Sequence, residues 1–223
     1  MTSHDVVAVA RRCLNTKKIG HCGTLDPMAT GMLILVIGNA TRIQDLLMSE
    51  DKEYTGTARL GATTSTQDRE GRSSKKRRCP PSQPSRSRGL STPCVGISTR
   101  HRPWSPPSRK TACRSTSWPG RQGDRARARL VHVFDYELTR VEVPEIDFRV
   151  VCSKGFYVRT YAHDVGQHLG CGAHLSALRR TRSGHFTFQP GKFTTFDVLK
   201  EGRRDEALAA MYSLYDVSKL RGA

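Results

Sequence analysis

Residues 18–42 read KIGHCGTLDPMATGMLILVIGNATR, and the interpretation of the whole chain starts from this stretch. A loop of glycine and small residues carries one acid, Asp26, next to a proline. The apolar run 32–37 is too short for a long helix and predicts a buried strand, followed by a short helix over 40–48. An acid on such a loop is a candidate catalytic residue, although the Asp of most Asp-Pro loops only closes a turn.

Three further stretches show strand patterns. Residues 52–60 alternate in polarity, which predicts a strand with one inward face formed by Tyr54, Gly56, Ala58 and Leu60. A tyrosine at such a position is usually a core residue whose hydroxyl bonds a neighbour. Residues 130–138 and 146–152 are also predicted to be strands. Gly155 then breaks the chain before apolar residues recur at helical spacing over 158–169.

The two ends of the chain predict helices. Ser3 is positioned to cap a helix whose apolar positions favour one side, namely Val6, Val7, Val9, Ala10 and Leu14. Residues 184–196 predict a closing strand pair, and 205–214 predict an amphipathic helix. A length of 223 residues suits one medium domain that can bury a sizeable core.

Composition excludes several classes of protein. The sequence has no long apolar segment and no basic leader followed by an apolar core, so we expect neither secretion nor a membrane span, and we expect a cytoplasmic protein. The seven cysteines are odd in number and form no CxxC pair, which predicts free thiols in a reducing compartment. A structural metal site is therefore not expected.

Residues 72–129 differ abruptly from the rest of the chain. They contain 16 Lys and Arg against a single acid, Asp124, and account for +15 of the formal net charge of +17. The remainder carries 21 basic and 19 acidic residues, so net charge by itself is no argument for nucleic-acid binding. This Ser-, Pro- and Arg-rich composition predicts no packed core. A disordered basic arm that binds RNA phosphates, a spliced-in linker and an out-of-frame translation all remain open.

Three motifs carry a resemblance to a known family. The first resembles the catalytic motif of the TruB family of tRNA pseudouridine synthases, through Gly20-His21-Cys22-Gly23-Thr24-Leu25-Asp26-Pro27, Ala29, Gly31, Leu33 and Gly38-Asn39-Ala40-Thr41-Arg42. The second is SKGFYVRT at 153–160 and the third is GCGAHLSALRR at 170–180. The resemblance implies an α+β fold with a mixed, mostly antiparallel central sheet, flanking helices and a catalytic cleft across the sheet.

The resemblance also implies roles for particular residues. The acid of the first motif is the family's nucleophile and corresponds to Asp26. Arg159 would pair with Asp26 and keep its carboxylate ionised and oriented, a task that suits a planar guanidinium. Tyr54 would lie against the target base and completes the catalytic set. Substrate binding is assigned to His21, Lys154, Tyr157, Leu178, Arg179 and Arg180.

Structural alternatives stand beside these roles. His21 lies between a glycine and a cysteine and is as well suited to bonding the backbone as to positioning RNA. Tyr157 and Leu178 would wall the pocket for a base taken out of its stack. Arg179 and Arg180, which we place at a helix end, are candidate phosphate contacts, although arginines at such a position are usually just solvated.

The implied activity is isomerisation of uridine to pseudouridine in tRNA, most simply at uridine 55 of the T-loop. It needs no cofactor or metal, and we expect a monomer without an obligatory protein partner. Asp26 would attack the sugar C1′ or act as a base that generates a glycal, and both routes remain open. A different class also remains open: an impaired or inactive RNA-binding or tRNA-chaperone protein, or a pseudogene product.

The resemblance divides the chain into three parts. Residues 1–71 form the first part of the catalytic domain, 72–129 an aberrant segment, and 130–223 the second part, which we expect to lack the family's C-terminal RNA-binding appendage. The family's N-terminal strand and Lys-Pro-Gly loop are also expected to be absent.

The genetic code gives a reason for the aberrant segment. Residues 101–112 can be written as codons chosen among the synonymous ones. When the last base of each codon is read together with the first two bases of the next codon, the translation becomes Pro-Pro-Met-Val-Ser-Ala-Ile-Lys-Lys-Asp-Gly. The same offset turns 115–120 into Tyr-Glu-Leu-Ala-Arg and 72–77 into Val-Val-Glu-Glu plus one residue. These strings resemble what the family carries in this region. We therefore expect 72–129 to be a frame-shifted translation, which sequencing of the coding DNA tests directly.

Overall fold

The computed structural model describes residues 1–73 and 131–222, which form seven strands and six α-helices. The strands are β1 (Ile19–His21), β2 (Thr30–Gly31), β3 (Leu35–Ile37), β4 (Lys52–Leu60), β5 (Val133–Glu142), β6 (Glu145–Cys152) and β7 (Ala173–Ser183). The helices are α1 (Ser3–Cys13), α2 (Gln44–Met48), α3 (Val158–His168), α4 (Phe196–Lys200), α5 (Arg204–Ala209) and α6 (Leu214–Leu220), and a 3-10 helix covers Gly38–Ile43.

A five-stranded sheet organises these elements, in the order β2-β7-β4-β6-β5. Its neighbouring strands are antiparallel except for the parallel pair of β2 and β7. A separate antiparallel pair joins β1 to β3. The predicted α+β fold, with a mixed and mostly antiparallel sheet, is confirmed.

Strand β4 lies at the centre of the sheet and has the bounds predicted from its alternation. Gly56, Ala58 and Leu60 are buried, as predicted, and Tyr54 is half-buried. A Cβ atom at Gly56 would lie 2.9 Å from Cζ of Phe148, so glycine lets the two strands approach closely. The interior of the sheet is therefore set by the residues that the sequence pattern indicated.

The main core lies between the sheet and α3. Its buried side chains come from four strands or helices and from the loop after β1, and include Met28, Ala58, Phe148, Val150, Val158, Ala162, Leu175 and Leu178. Helix α3 lies close against β7 at Gly166, where an added Cβ atom would lie 2.1 Å from the backbone nitrogen of Ala173.

This close approach predicts a stability effect at Gly166. In an open helix, replacing glycine by alanine stabilises by about 1 kcal/mol. We expect Gly166→Ala to destabilise instead, by about 2 kcal/mol, because the methyl group must displace the β7 backbone. Thermal unfolding should show the melting temperature fall by roughly 4–8 °C. Gln167→Ala, on the exposed side of the same helix, should leave it nearly unchanged, and an increase for Gly166→Ala would contradict the packing.

Helix α1 packs against β1, α4 and α5 through Val7, Ala10 and Leu14. Its N-cap is Thr2, whose side chain accepts a hydrogen bond from the backbone of Asp5. The prediction that Ser3 caps this helix was wrong by one residue. Ser3 is instead buried and available to another partner.

Several predicted elements differ from the structure. Only Leu35–Ile37 of the run 32–37 forms a strand. Residues 170–180 do not end in a helix, because 173–183 form β7. The predicted strand pair over 184–196 is wrong: the segment has one isolated bridge, from Ser183 to Phe186, and no strand. The single helix over 205–214 is replaced by α5 and α6.

The predicted boundary at residue 72 falls at the edge of the described chain. Thr64 bridges Ser73, and the backbone nitrogen of Arg72 donates to Oγ of Ser65 at 3.2 Å, so the first two residues beyond the predicted boundary contact the loop after β4. The rest of the predicted aberrant segment, 74–129, lies outside the described residues. The division of the chain into three parts therefore stays a prediction.

Two further observations concern the described residues. Cys13, Cys22, Cys152 and Cys171 are free thiols, in agreement with the prediction for this part of the chain. None of the helices in 1–73 and 131–222 is long and apolar enough to cross a membrane.

Candidate active site

Asp26 lies on the loop between β1 and β2, and neighbouring groups hold this loop in place. The backbone nitrogen of Leu25 donates to Oγ of Ser3 at 2.9 Å, one residue before the acid. The backbone nitrogen of Ala29 donates to the carbonyl of Asp26 at 2.8 Å and closes a turn. The Asp26 side chain keeps 26% of its surface exposed, so it is both fixed and accessible. The sequence did not indicate this role for Ser3.

The predicted pairing of Asp26 with Arg159 is present in the structure. Nε of Arg159 lies 2.9 Å from Oδ2 of Asp26. Nη1 of the same guanidinium lies 3.2 Å from Oδ2 of Asp68 and donates to the carbonyl of Thr66 at 3.3 Å. Arg159 thus bridges two carboxylates, and its side chain is only 13% exposed. A planar cation held at both ends fixes the orientation of Asp26 relative to α3.

Asp68 is a site residue that the sequence analysis missed. Its side chain is 4% exposed, and Oδ1 accepts hydrogen bonds from Oγ1 of Thr66 at 2.5 Å and from the backbone of Glu70 at 3.0 Å. Backbone hydrogen bonds of 3.0 Å on either side join this segment to Leu175 of β7. The available signal was a pair of acids, Asp68 and Glu70, shortly after the strand predicted over 52–60, but the sequence pattern assigned a role to neither.

The pKa of the Asp26 carboxyl is raised above its ordinary value. Burial is the largest cause, because a charged group loses hydration inside the protein. Arg159 opposes the shift and holds the charged form, while the nearby charges of Asp68 and Glu70 raise the pKa further. The acid therefore ionises at higher pH than an exposed aspartate.

This balance predicts a pH dependence with a definite sign. If the reaction requires the Asp26 carboxylate, its rate falls as pH drops through the raised pKa. Asp68→Asn removes a charge that raises this pKa, so the acid limb of the single-turnover profile should move to lower pH. Glu53→Gln, which removes a carboxylate bonded to Arg149 and Thr181, serves as the control and should leave the limb in place. A shift of the Asp68→Asn limb to higher pH would contradict the assignment.

Tyr54 and Leu178 lie beside the Asp26 loop. Tyr54 is opposite Arg180 in the pairing of β4 with β7. Burial is the main cause that raises the pKa of the Tyr54 hydroxyl, the charge of the Arg180 guanidinium opposes this rise, and the charge of Asp26 adds to it. Leu178 is 6% exposed and belongs to the same cluster as Met28, two residues after the acid. Their predicted role as walls of a base pocket stays a prediction.

Three other residues that were predicted to bind substrate differ in how deeply they are buried. Tyr157 is half-buried and precedes α3, two residues before Arg159. Lys154 is exposed in the turn before it. His21 lies in β1 with its ring edge-on to His4 at 5.1 Å, and burial lowers the pKa of His21, with His4 and Arg180 contributing. Their contacts with RNA stay predictions.

The two arginines of the third motif differ sharply from each other. Arg179 is exposed, with its guanidinium 5.3 Å from the ring of Phe188. Arg180 is 1% exposed, and the prediction that it contacts phosphate is wrong, since its donors face backbone carbonyls inside the protein. The error arose because 173–183 form a strand, in which successive residues point to opposite faces.

The geometry supports acid–base or nucleophilic chemistry at one carboxylate. Asp26 is partly exposed, and it lies beside an arginine that stabilises its charged form. Tyr54 and the core residue Leu178 lie near the same loop. The predicted catalytic residues Asp26, Tyr54 and Arg159 therefore come together from three separate regions of the sequence.

Models of two protein families match the chain. Residues 11–158 match "TruB family pseudouridylate synthase (N terminal domain)", and residues 159–216 match "tRNA pseudouridylate synthase B C-terminal domain". Proteins named "tRNA pseudouridine synthase B" are similar over most of the chain. The one from Opitutus terrae is 47% identical over 83% of this chain and 77% of its own length, and that from Corynebacterium diphtheriae is 37% identical over 98% and 77%.

Solved structures show the same fold. A Cbf5-Nop10-Gar1 complex contains a chain that superposes with a TM-score of 0.70 at 27% identity over 99% of this chain. The archaeal box H/ACA sRNP Nop10-Cbf5 complex gives 0.66 at 26% identity over 94%. This chain spans 59% and 55% of those longer chains, respectively.

Proposed function

Because the chain belongs to the TruB family of tRNA pseudouridine synthases, which are isomerases, we propose that it converts uridine to pseudouridine in tRNA. The observation that carries the proposal is the position of Asp26. The family's motif places this acid on a tethered loop, and the tertiary structure adds Arg159 and Asp68 as its charged neighbours.

The chemistry requires a carboxylate next to the reacting nucleotide. We assign Asp26 to attack at the sugar C1′, so that the bond from C1′ to N1 of uracil breaks and N1 takes the electron pair. The detached base turns, C5 bonds to C1′ and displaces the carboxylate, and the C5 proton is lost while N1 gains one. A glycal route with Asp26 as base gives the same product. Tyr54, Tyr157 and Leu178 would hold the base during its rotation.

The substrate assigned is uridine 55 of the tRNA T-loop. The curated relatives are named as tRNA enzymes, and they match this chain over most of its length. We assign a monomer that acts in the cytoplasm without a cofactor or an obligatory protein partner. The Cbf5 structures are complexes with other proteins, whereas the curated relatives are named as tRNA pseudouridine synthase B without a named partner.

Release of tritium from C5 of uridine in a labelled T-loop transcript tests the proposal. The chain as written and a frame-corrected version should be measured side by side, with a transcript carrying cytidine at the target position as the control. We expect release by the frame-corrected protein and not by the chain as written. Activity of both would make 72–129 a tolerated insertion, and activity of neither would overturn the proposed function.

A further inference from the structure

Arg180 is a buried cation whose partners are mainly backbone carbonyls. Its side chain is 1% exposed, and no ion pair within residues 1–73 and 131–222 includes it. Nε donates to the carbonyl of Met32 at 2.7 Å, and Nη2 donates to the carbonyl of Gly23 at 3.3 Å. Tyr54 lies opposite Arg180 in the pairing of β4 with β7, where burial raises the pKa of the Tyr54 phenol and the charge of the guanidinium opposes the rise.

The two carbonyls lie at opposite ends of the loop that carries Asp26. Gly23 precedes the acid and Met32 follows it, so one guanidinium spans the loop. Backbone contacts strengthen the second attachment: the nitrogen of Met32 donates to the carbonyl of Arg180 at 2.9 Å. At Gly31 an added Cβ atom would lie 2.3 Å from the same carbonyl, so the chain packs directly on β7 there.

Burial removes the hydration of the Arg180 charge and therefore costs free energy. A buried cation without an acidic partner is tolerated only when polar groups satisfy its donors. Lys52 is also buried nearby and donates to the carbonyls of Met48 and Glu50. Burial and then the charge of Arg180 lower the pKa of Lys52. Hydrogen bonds to the backbone of the Asp26 loop therefore hold the Arg180 side chain in place, rather than attraction to a carboxylate.

We propose that Arg180 is a positioning residue for the reaction, which fixes both ends of the Asp26 loop. It acts through these groups and does not contact the substrate. The expected effect of Arg180 on the reaction rate rests on the proposed function. Its hydrogen bonds to Gly23 and Met32, called the clamp below, are a property of the fold.

Substitution separates this role from a phosphate contact. In the frame-corrected protein, Arg180→Met keeps an unbranched apolar side chain and removes the guanidinium donors. We expect the single-turnover rate constant to fall about 100-fold, because small displacements of a catalytic group have effects of this size. The dissociation constant for the T-loop transcript should change less than about threefold, since Arg180 is buried. Arg180→Lys reaches fewer acceptors and should give an intermediate rate.

Arg182→Met is the matched control. Arg182 lies on the same strand and also donates to a backbone carbonyl, that of Gly184, but away from the Asp26 loop. We expect its rate constant to stay within about twofold of that of the frame-corrected protein without a substitution. A normal rate constant for Arg180→Met would overturn the proposal. So would a loss confined to RNA affinity, which would restore the phosphate role.

Hydrogen exchange provides a measurement that does not need turnover. In the full chain, amides of 23–32 should exchange at least about tenfold faster in Arg180→Met than in Arg182→Met, because the loop loses its anchors. If Arg180→Met fails to unfold cooperatively, Arg180→Lys carries the comparison. If the amides of 23–32 exchange faster in Arg180→Met but the frame-corrected protein never releases tritium, the proposed function is rejected and the clamp is kept. If their exchange is unchanged, the clamp is rejected.

Discussion

In the frame-corrected protein, Asp26→Ala is expected to abolish pseudouridine formation, lowering the single-turnover rate constant by at least about 10⁴-fold. Attack at C1′ and formation of a glycal both require this carboxylate, so neither route survives its loss. RNA affinity should change little, because Asp26 carries a negative charge that contributes no attraction to phosphate. The measurement is tritium release from C5 under enzyme excess, with transcript binding followed separately.

Asp26→Asn controls for the shape of the side chain. It keeps the volume of the carboxyl group and removes its charge, and it should be as inactive as the alanine variant. Burial disfavours the Asp26 carboxylate, and Arg159 keeps Asp68 as a partner, so this variant should melt no lower than the unaltered protein. Retained turnover in either variant would remove Asp26 from the mechanism. If the frame-corrected protein binds RNA but releases no tritium, a binding protein becomes the better interpretation.

Arg159→Met is expected to have the second-largest effect, since it reduces both activity and stability. The substitution leaves the 4% exposed side chain of Asp68 and the partly buried Asp26 without their shared cation. Removing one member of a buried ion pair costs about 3–5 kcal/mol. Because Arg159 also lowers the pKa of Asp26, the acid limb should move to higher pH, opposite to the shift expected for Asp68→Asn. The rate constant should fall by roughly 10²–10³-fold.

The chain offers a matched control for this arginine. Arg149 also bridges two carboxylates, those of Glu53 at 2.9 Å and Asp135 at 2.6 Å, but its side chain is 31% exposed. Arg149→Met should cost no more than about 1 kcal/mol, because water screens exposed pairs. The double substitution of Arg159→Met with Asp68→Asn should recover part of the lost stability, since it removes the more deeply buried of the two unpaired charges. Equal losses for Arg149→Met and Arg159→Met would show that burial does not set the importance of the bridge.

The third motif shows why local pattern was insufficient. In β7 the buried residues Leu175 and Leu178 are three positions apart, which resembles helical spacing, whereas Leu178 and Arg180 are two apart. The pairing of β4 with β7 shifts register between Thr57 and Ala58, so one extra residue lies on β7. A β-bulge of this kind moves later side chains to the other face of the sheet. The bulge therefore explains both the wrong helix and the wrong position of Arg180.

The sequence by itself determined the family, the α+β class, the bounds of β4, and Asp26 with Arg159 as partners, because motif identity and period-two alternation are local properties. Only the tertiary structure decided that Asp68 joins the same arginine, that Ser3 supports the loop, and that Arg180 lies beneath it. These contacts depend on strand order and register. The β7 strand places Arg180 between Gly31 on one neighbour and Tyr54 on the other. No pattern within a single segment encodes which distant backbone lies opposite, so such partners become visible only when the sheet is assembled.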